Sequence, residues 1–182
     1  MVEKTLVLIK PDGVARGLVG EILSRFERTG LQIIGLKIVK PTREDVERHY
    51  PDNKDFLIGM GKKTLENFAQ AKLDVEKYFG TKDPLEIGRK IREWNVNYLT
   101  SGPCVAILLK GPNAISCVRK LVGHTLPMYA EAGTIRGDFS TDSSVDAALR
   151  GESIKNLIHA SGSPEESAHE EKVWFRKEEI ID

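Results

Sequence analysis

Two cysteines, Cys104 and Cys117, are too few for a disulfide framework, so the sequence implies buried thiols in a reducing cytoplasm. No apolar run approaches the roughly 20 residues of a membrane-spanning helix, which argues against a membrane partner. Charge of one sign is also lacking. Lys plus Arg and Asp plus Glu stand at 27 each, so no net field selects nucleic acid or anionic lipid, although local basic clusters can still hold phosphate. There is no CxxC, HExxH or dinucleotide fingerprint, and the four histidines lack close metal-ligand spacing. "GMGKKT" (59–64) resembles a phosphate loop only briefly: Phe56 stands where the first glycine is needed, and Lys63 where a Ser or Thr is needed.

What is present suits one compact domain of 182 residues. "TLVLIK" (5–10) is a short apolar run ended by Pro11-Asp12-Gly13, hence a strand and a turn. "GLVGEILSRFERTG" has helical spacing with Gly30 as its stop, and "LQIIGLKIVK" (31–40) is a second strand. A helix follows from the N-cap Thr42. Two helical patterns, 64–80 and 84–99, lead to a strand at 104–110 and a helix at 113–123. After a long loop comes the strand of "NLIHAS" (156–161). The final helix has Ser163 as N-cap, Pro164 in its first position and Glu166 completing a capping box. This order predicts an α+β sandwich with helices on one sheet face.

"NLIHAS" ends a short buried-looking strand on an imidazole and then supplies small residues, Ala160 and Ser161, that leave room for a ligand. A lone histidine is more often a surface or satisfied core residue. Here Glu170, on the following helix, can fold back to fix one ring nitrogen and leave the other as a nucleophile. Lys10 at the end of the first strand, Arg119 on a helix and Arg136 in an exposed loop between glycines are cations at or near element ends, the makings of a polyphosphate clamp.

These residues stand in an order that resembles the nucleoside diphosphate kinase family. The resemblance runs through "TLVLIKPDGVARGLVGEILSRFERTGLQIIGLK", "SGPCVAILLKG", "VRKLVGHT", "GTIRGDF" and "NLIHASGSPEESAHEEKVWF". It implies a ferredoxin-like fold, a four-stranded antiparallel sheet with surrounding helices. It also implies ping-pong transfer of a γ-phosphate from a nucleoside triphosphate to a nucleoside diphosphate. His159 would be the nucleophile, Glu170 would hydrogen-bond its ring and Ser161 would support that contact. Arg119, Thr125 and Arg136 would hold phosphates, Lys10 and Asn156 the ribose hydroxyls and transferring group, and Tyr50 the phosphoryl group. Magnesium would be held by phosphate and water, not by a protein cage. A homo-oligomer is implied as well.

The resemblance has gaps. It implies one domain over 1–182 with a helical insertion at about 51–100 and a short one at about 141–153, the latter an exposed turn or short helix near the nucleotide mouth. The family's Pro-Phe-Phe base platform is not recognisable, which leaves Phe56 and Phe68 as candidates. Gly162 stands where an Asp is usual, and Ala132 where a Pro is common. A stacked base with few edge contacts implies broad nucleotide acceptance. The other reading is a nucleotide-binding regulatory or scaffold protein on the same fold, but such a protein would be expected to lose the histidine or an arginine. An RNA-binding domain would need aromatics on its strands, and "LVLIK" and "CVAILLK" offer none.

Overall fold

The computed structural model describes residues 2–181. Its first strand, β1 (Val2–Ile9), is buried at every residue from Thr5 to Ile9, not at alternate ones. A strand of that kind needs cover on both faces, so the expectation of helices on one face is corrected. Next come α1 (Pro11–Ala15), α2 (Val19–Glu27) and β2 (Gln32–Val39). The expected turn at Pro11 is a short helix, because proline's fixed φ suits a first helical position. α3 (Arg43–His49) starts from Thr42, whose hydroxyl and the Asp45 carboxylate cap each other's backbone N–H groups.

The helical pattern predicted over 64–80 is not one helix. α4 (Lys54–Gln70) ends near Lys72, which takes a left-handed φ of 56°, and the Asp74 carboxylate then accepts from Glu76 N–H to open α5 (Glu76–Phe79). α6 (Pro84–Thr100), β3 (Cys104–Pro112) and α7 (Ala114–Val122) follow, then α8 (Ile135–Phe139) and α9 (Ser144–Arg150). The chain closes with β4 (Ile158–Ala160) and α10 (Pro164–Trp174). Ser163 caps α10 as predicted, but the Glu166 carboxylate takes Gly162 N–H instead of completing a capping box.

The sheet order is β2-β3-β1-β4 and every pairing is antiparallel. Val7, Ile9, Ile107 and Leu109 face one core with Ile22 and Phe26 of α2 and Val118 and Val122 of α7. Leu6, Leu8, Ala106 and Leu108 face the other, with Val46 of α3, Val96 and Leu99 of α6, and Trp174 of α10. The alternation of one strand between two cores is what fixes register here, since a slip of one residue would exchange the faces.

A third, smaller core lies off the sheet. Phe68, Val75, Phe79 and Ile87 pack with Ala148 of α9, so the 54–79 segment and the 144–150 helix share one cap. α4 and α6 cross backbone to backbone. A Cβ on Gly61 would lie 1.8 Å from the Pro84 carbonyl oxygen, and one on Gly88 would lie 1.9 Å from that of Leu57. The second glycine of "GMGKKT", Gly61, therefore serves packing. Among the described residues no helix is long and apolar enough to cross a membrane.

Candidate active site

β4 is short because the residue before it is bent. Ile158 N–H donates to the Asn156 carbonyl at 2.8 Å across Leu157, which sits at φ 69°. This is the rare γ-turn, strained for a branched residue. The turn persists because both sides of the Leu157 peptide are gripped. Its N–H donates to Asp12 Oδ2 at 3.1 Å, its carbonyl accepts from Lys10 N–H at 2.8 Å, and its side chain is fully buried. The bend delivers His159 to the sheet edge opposite Leu8.

The His159 side chain keeps 21% of its surface, enough for a substrate to reach it. Its Nε2 lies 2.7 Å from Glu170 Oε1, and Ser161 Oγ donates to Glu170 Oε2 at 2.5 Å. Burial alone would raise the Glu170 carboxyl, but the charge and hydrogen bond of His159, with help from Ser161, outweigh it and hold it at about 2. Glu170 is thus a carboxylate at neutral pH, fixing Nε2 as the protonated nitrogen. Among the described residues nothing bonds Nδ1. All three predicted catalytic residues meet.

His49 is a neighbour the sequence reading missed. Its ring is edge-on to His159 with centroids 4.6 Å apart, and it touches Tyr50 and Trp174 in the same manner. Burial first, and then the charge of His159, lowers it to about 3, so it is neutral. Trp174 Nε1 donates to its Nδ1 at 3.3 Å; the 3.6 Å approach of Nδ1 to Glu170 is therefore no ion pair. The ligand atoms of His49, His159 and Glu170 lie within 4.8 Å of one another, though sequence spacing gave no metal pattern. Position directly before Tyr50 was the available signal for His49.

The cations split into two kinds. Lys10 is buried and donates to Asn156 Oδ1 at 2.7 Å, while Asn156 Nδ2 donates to the Thr125 carbonyl at 2.8 Å. Burial, and then the Arg136 charge, lowers Lys10 to about 8. Arg136, expected on an exposed loop, is instead buried on α8. Its Nε, Nη1 and Nη2 donate to the carbonyls of Asn156, Gly123 and Ile158 at 3.2, 3.0 and 2.6 Å. The Thr134 cap on Gly137 N–H turns the chain inward there, and buried carbonyls supply the partners. Burial and the Arg119 charge bring Arg136 down to about 10. Arg119 itself is exposed, beside Gly162.

Lys10, Tyr50, Arg119, Thr125, Arg136, Asn156 and His159 all line one cavity of about 500 Å³. Its far wall is the cap, with Phe56, Met60 and Lys63 of α4, Trp94 and Asn95 of α6, and Ser144, Ala147 and Ser153 at the second segment. The short segment 141–153 thus forms the expected helix at the cavity mouth, but with Ser144 and Ala147 buried. Phe68 is 1% exposed, packed edge-on against Tyr78 and Phe79 in the cap core, and is not free to stack on a ligand. Phe56 is half-buried in the cavity wall. Phe56 aside, the sequence does not point to the cap residues of the cavity, since no motif carries them.

A family model described as nucleoside diphosphate kinase matches residues 3–58 and 84–180 and leaves 59–83, the heart of the cap, unmatched. The chain is similar to the nucleoside diphosphate kinase of Pyrobaculum aerophilum, 51% identical over 100% of this chain and 99% of that one. It is 36% identical to that of Thermosynechococcus vestitus over 98% of this chain and 91% of the relative. The crystal structure of an NDP kinase from Pyrobaculum aerophilum superposes with a TM-score of 0.93 at 49% identity, covering 100% of both chains. A nucleoside diphosphate kinase from Borrelia burgdorferi, with vanadate and ADP bound as a transition-state mimic, superposes with a TM-score of 0.78 at 32% identity, over 100% of this chain and 91% of that one.

Proposed function

The chain belongs to the nucleoside diphosphate kinase family, and we infer that His159 carries its reaction. The protein transfers the γ-phosphate of a nucleoside triphosphate to a nucleoside diphosphate. One observation supports the role of His159 above the others: its Nε2 is tied to a buried carboxylate at 2.7 Å, which leaves Nδ1 as the free nitrogen beside a cavity ringed by cations.

In the first half-reaction Nδ1 attacks the γ-phosphorus. The Nδ1–P bond forms, the bond from phosphorus to the β-bridging oxygen breaks, and the diphosphate leaves with that electron pair. The ring becomes cationic, and the Glu170 carboxylate, itself held by Ser161, balances it. In the second half a terminal oxygen of another diphosphate attacks the phosphohistidine and restores the ring. Arg119, Arg136 and Thr125 neutralise and place the phosphates, Lys10 and Asn156 reach the ribose and transferring group, and Tyr50 orients the phosphoryl group. Of Phe56 and Phe68, Phe56 is the one left to stack on the base.

Magnesium supplies charge neutralisation on the phosphate oxygens. It is a hard ion that keeps most of its waters, and Glu152 and Glu166, the carboxylates lining the cavity, would meet it through water. The nitrogen-rich His49–His159–Glu170 group is the wrong chemistry for it. Homo-oligomerisation fits the edge strand β2, where Leu36 and Ile38 are exposed on one side.

Incubation with γ-labelled ATP and magnesium tests the reading. Acid-labile, alkali-stable label is expected on the wild type, chased onto added GDP and absent in His159→Ala. An unlabelled wild type that still binds nucleotide would overturn it.

A further inference from the structure

Two cations facing the cavity, Arg119 and Lys63, stand apart from the others. Among the described residues neither Arg119 nor Lys63 forms a hydrogen bond or ion pair. Arg119 already has a role in the proposed mechanism; Lys63 has none. It stands in the unmatched 59–83 segment, two residues beyond the glycine at which α4 locks against α6. That crossing has no room for a Cβ, so α4 cannot slide and the position of Lys63 over the cavity is set by rigid elements.

The charges around Lys63 are unbalanced. Lys63 is exposed at the cavity rim, where partial loss of water, and then the nearby charges of Arg119 and Arg136, pull its amine below the ordinary lysine value, while Glu166 and Glu66 act the other way. Three like charges converging on one cavity destabilise the empty site. A polyphosphate, with several anionic oxygens in a row, relieves that repulsion and gains charge-assisted hydrogen bonds. Lysine serves such a ligand as a point charge.

We propose that Lys63 is a further phosphate-binding residue of this kinase, contributed by the cap, which joins Arg119 and Arg136 on the phosphates of the bound nucleotide. The proposal rests on the kinase reading above. It also gives the cap a function: the segment absent from the family pattern would touch the substrate at its charged end as well as close the cavity.

The experiment is calorimetric titration of ADP into wild type, Lys63→Met, Lys63→Arg and Lys62→Met, at low and high salt. Lys62 is exposed like Lys63 but does not line the cavity, so its variant serves as the control. Lys63→Met should lose roughly tenfold or more in affinity, the size of one charged hydrogen bond. It should also become less sensitive to salt, because one screened contact is gone. Lys63→Arg should restore most of the affinity, and Lys62→Met should match the wild type. Lys63→Met binding within twofold of wild type, with unchanged salt dependence, would overturn the proposal. So would equal losses in the Met and Arg variants accompanied by a lower melting temperature, which would mark a structural role. Labelling wild type with γ-labelled ATP in parallel separates the two ideas, since that result decides the kinase reading whatever Lys63 does to ADP binding.

Discussion

The two walls of the cavity are held by different physics. The sheet wall is polar and hydrogen-bonded: Lys10, Arg136, Asn156, Ser161 and Glu170 are all buried, and each hydrogen-bonds to a named partner. The cap wall rests on an apolar, shape-matched core, with Phe68, Phe79 and Ile87 beside a glycine-tight helix crossing. The first wall tolerates almost no change, because each buried polar group left unpaired costs free energy. Away from the Gly61–Gly88 crossing, the core of the second asks for hydrophobic residues of suitable volume. That contrast accounts for a family pattern that covers the sheet wall and lapses over 59–83.

The largest test of the contrast is Phe68→Ala. It empties the centre of the cap and should cost about 3–5 kcal/mol there. Hydrogen exchange should speed up in α4, α5 and α9 while the sheet strands stay protected. Uniform loss across the molecule would show that the walls are one cooperative unit and break the comparison. Arg136→Met comes next. It strands the carbonyls of Asn156, Gly123 and Ile158, and about 1.5–3 kcal/mol is expected for the charged hydrogen bonds lost. Here stability and turnover should fall together, because the same guanidinium braces the γ-turn and faces the cavity. Thermal unfolding beside steady-state kinetics checks this, and an unchanged melting temperature would confine Arg136 to ligand binding.

What the sequence revealed divides along the same line. Strand and helix periodicity, the Thr42 and Ser163 caps and the His159–Glu170–Ser161 contact were legible, because each is local or spans one turn between adjacent elements. Arg136 lines the cavity but is buried on α8 instead of exposed on a loop, since its partners are backbone carbonyls that no side-chain pattern reports. His49, on α3, meets His159 only through the fold, 110 residues away in the chain, and its place directly before Tyr50 is the signal the sequence carries. The break of the 64–80 pattern at Lys72 and the burial of Phe68 both follow from cap packing. Tertiary context overrides propensity there.

Glu170→Gln tests the sheet wall by charge alone. The side chain keeps its size, but the cationic phosphohistidine loses its counter-charge. A fall in kcat of about 10–100-fold is expected with little change in KM, the equivalent of roughly 1.5–3 kcal/mol. A rise in KM instead would move Glu170 from supporting the ring to binding substrate. The carboxyl's low value also carries a stability sign. Held at about 2, it contributes stabilisation above the ordinary carboxylate range that is lost as pH falls toward that value.

The smallest effect near neutrality belongs to Lys10, whose lowered value costs stability at neutral pH where that of Glu170 adds it, although stability rises with pH across both windows. Its folded value of about 8 lies below the ordinary lysine value of 10.5, so the native state releases its proton first. Stability linked to this group therefore rises between those values, while the cation needed at the nucleotide disappears. The kcat/KM of the free enzyme should fall above pH of about 8, approaching tenfold per unit, because that ratio reports groups of the unliganded site. Lys10→Arg, which cannot lose its proton in this range, should move the falling limb to higher pH even if its longer fork lowers the plateau. A wild-type profile that stays flat well beyond pH of about 9 would mean that Asn156 and the cavity keep Lys10 charged, and that burial weighs less at the sheet wall than the geometry implies.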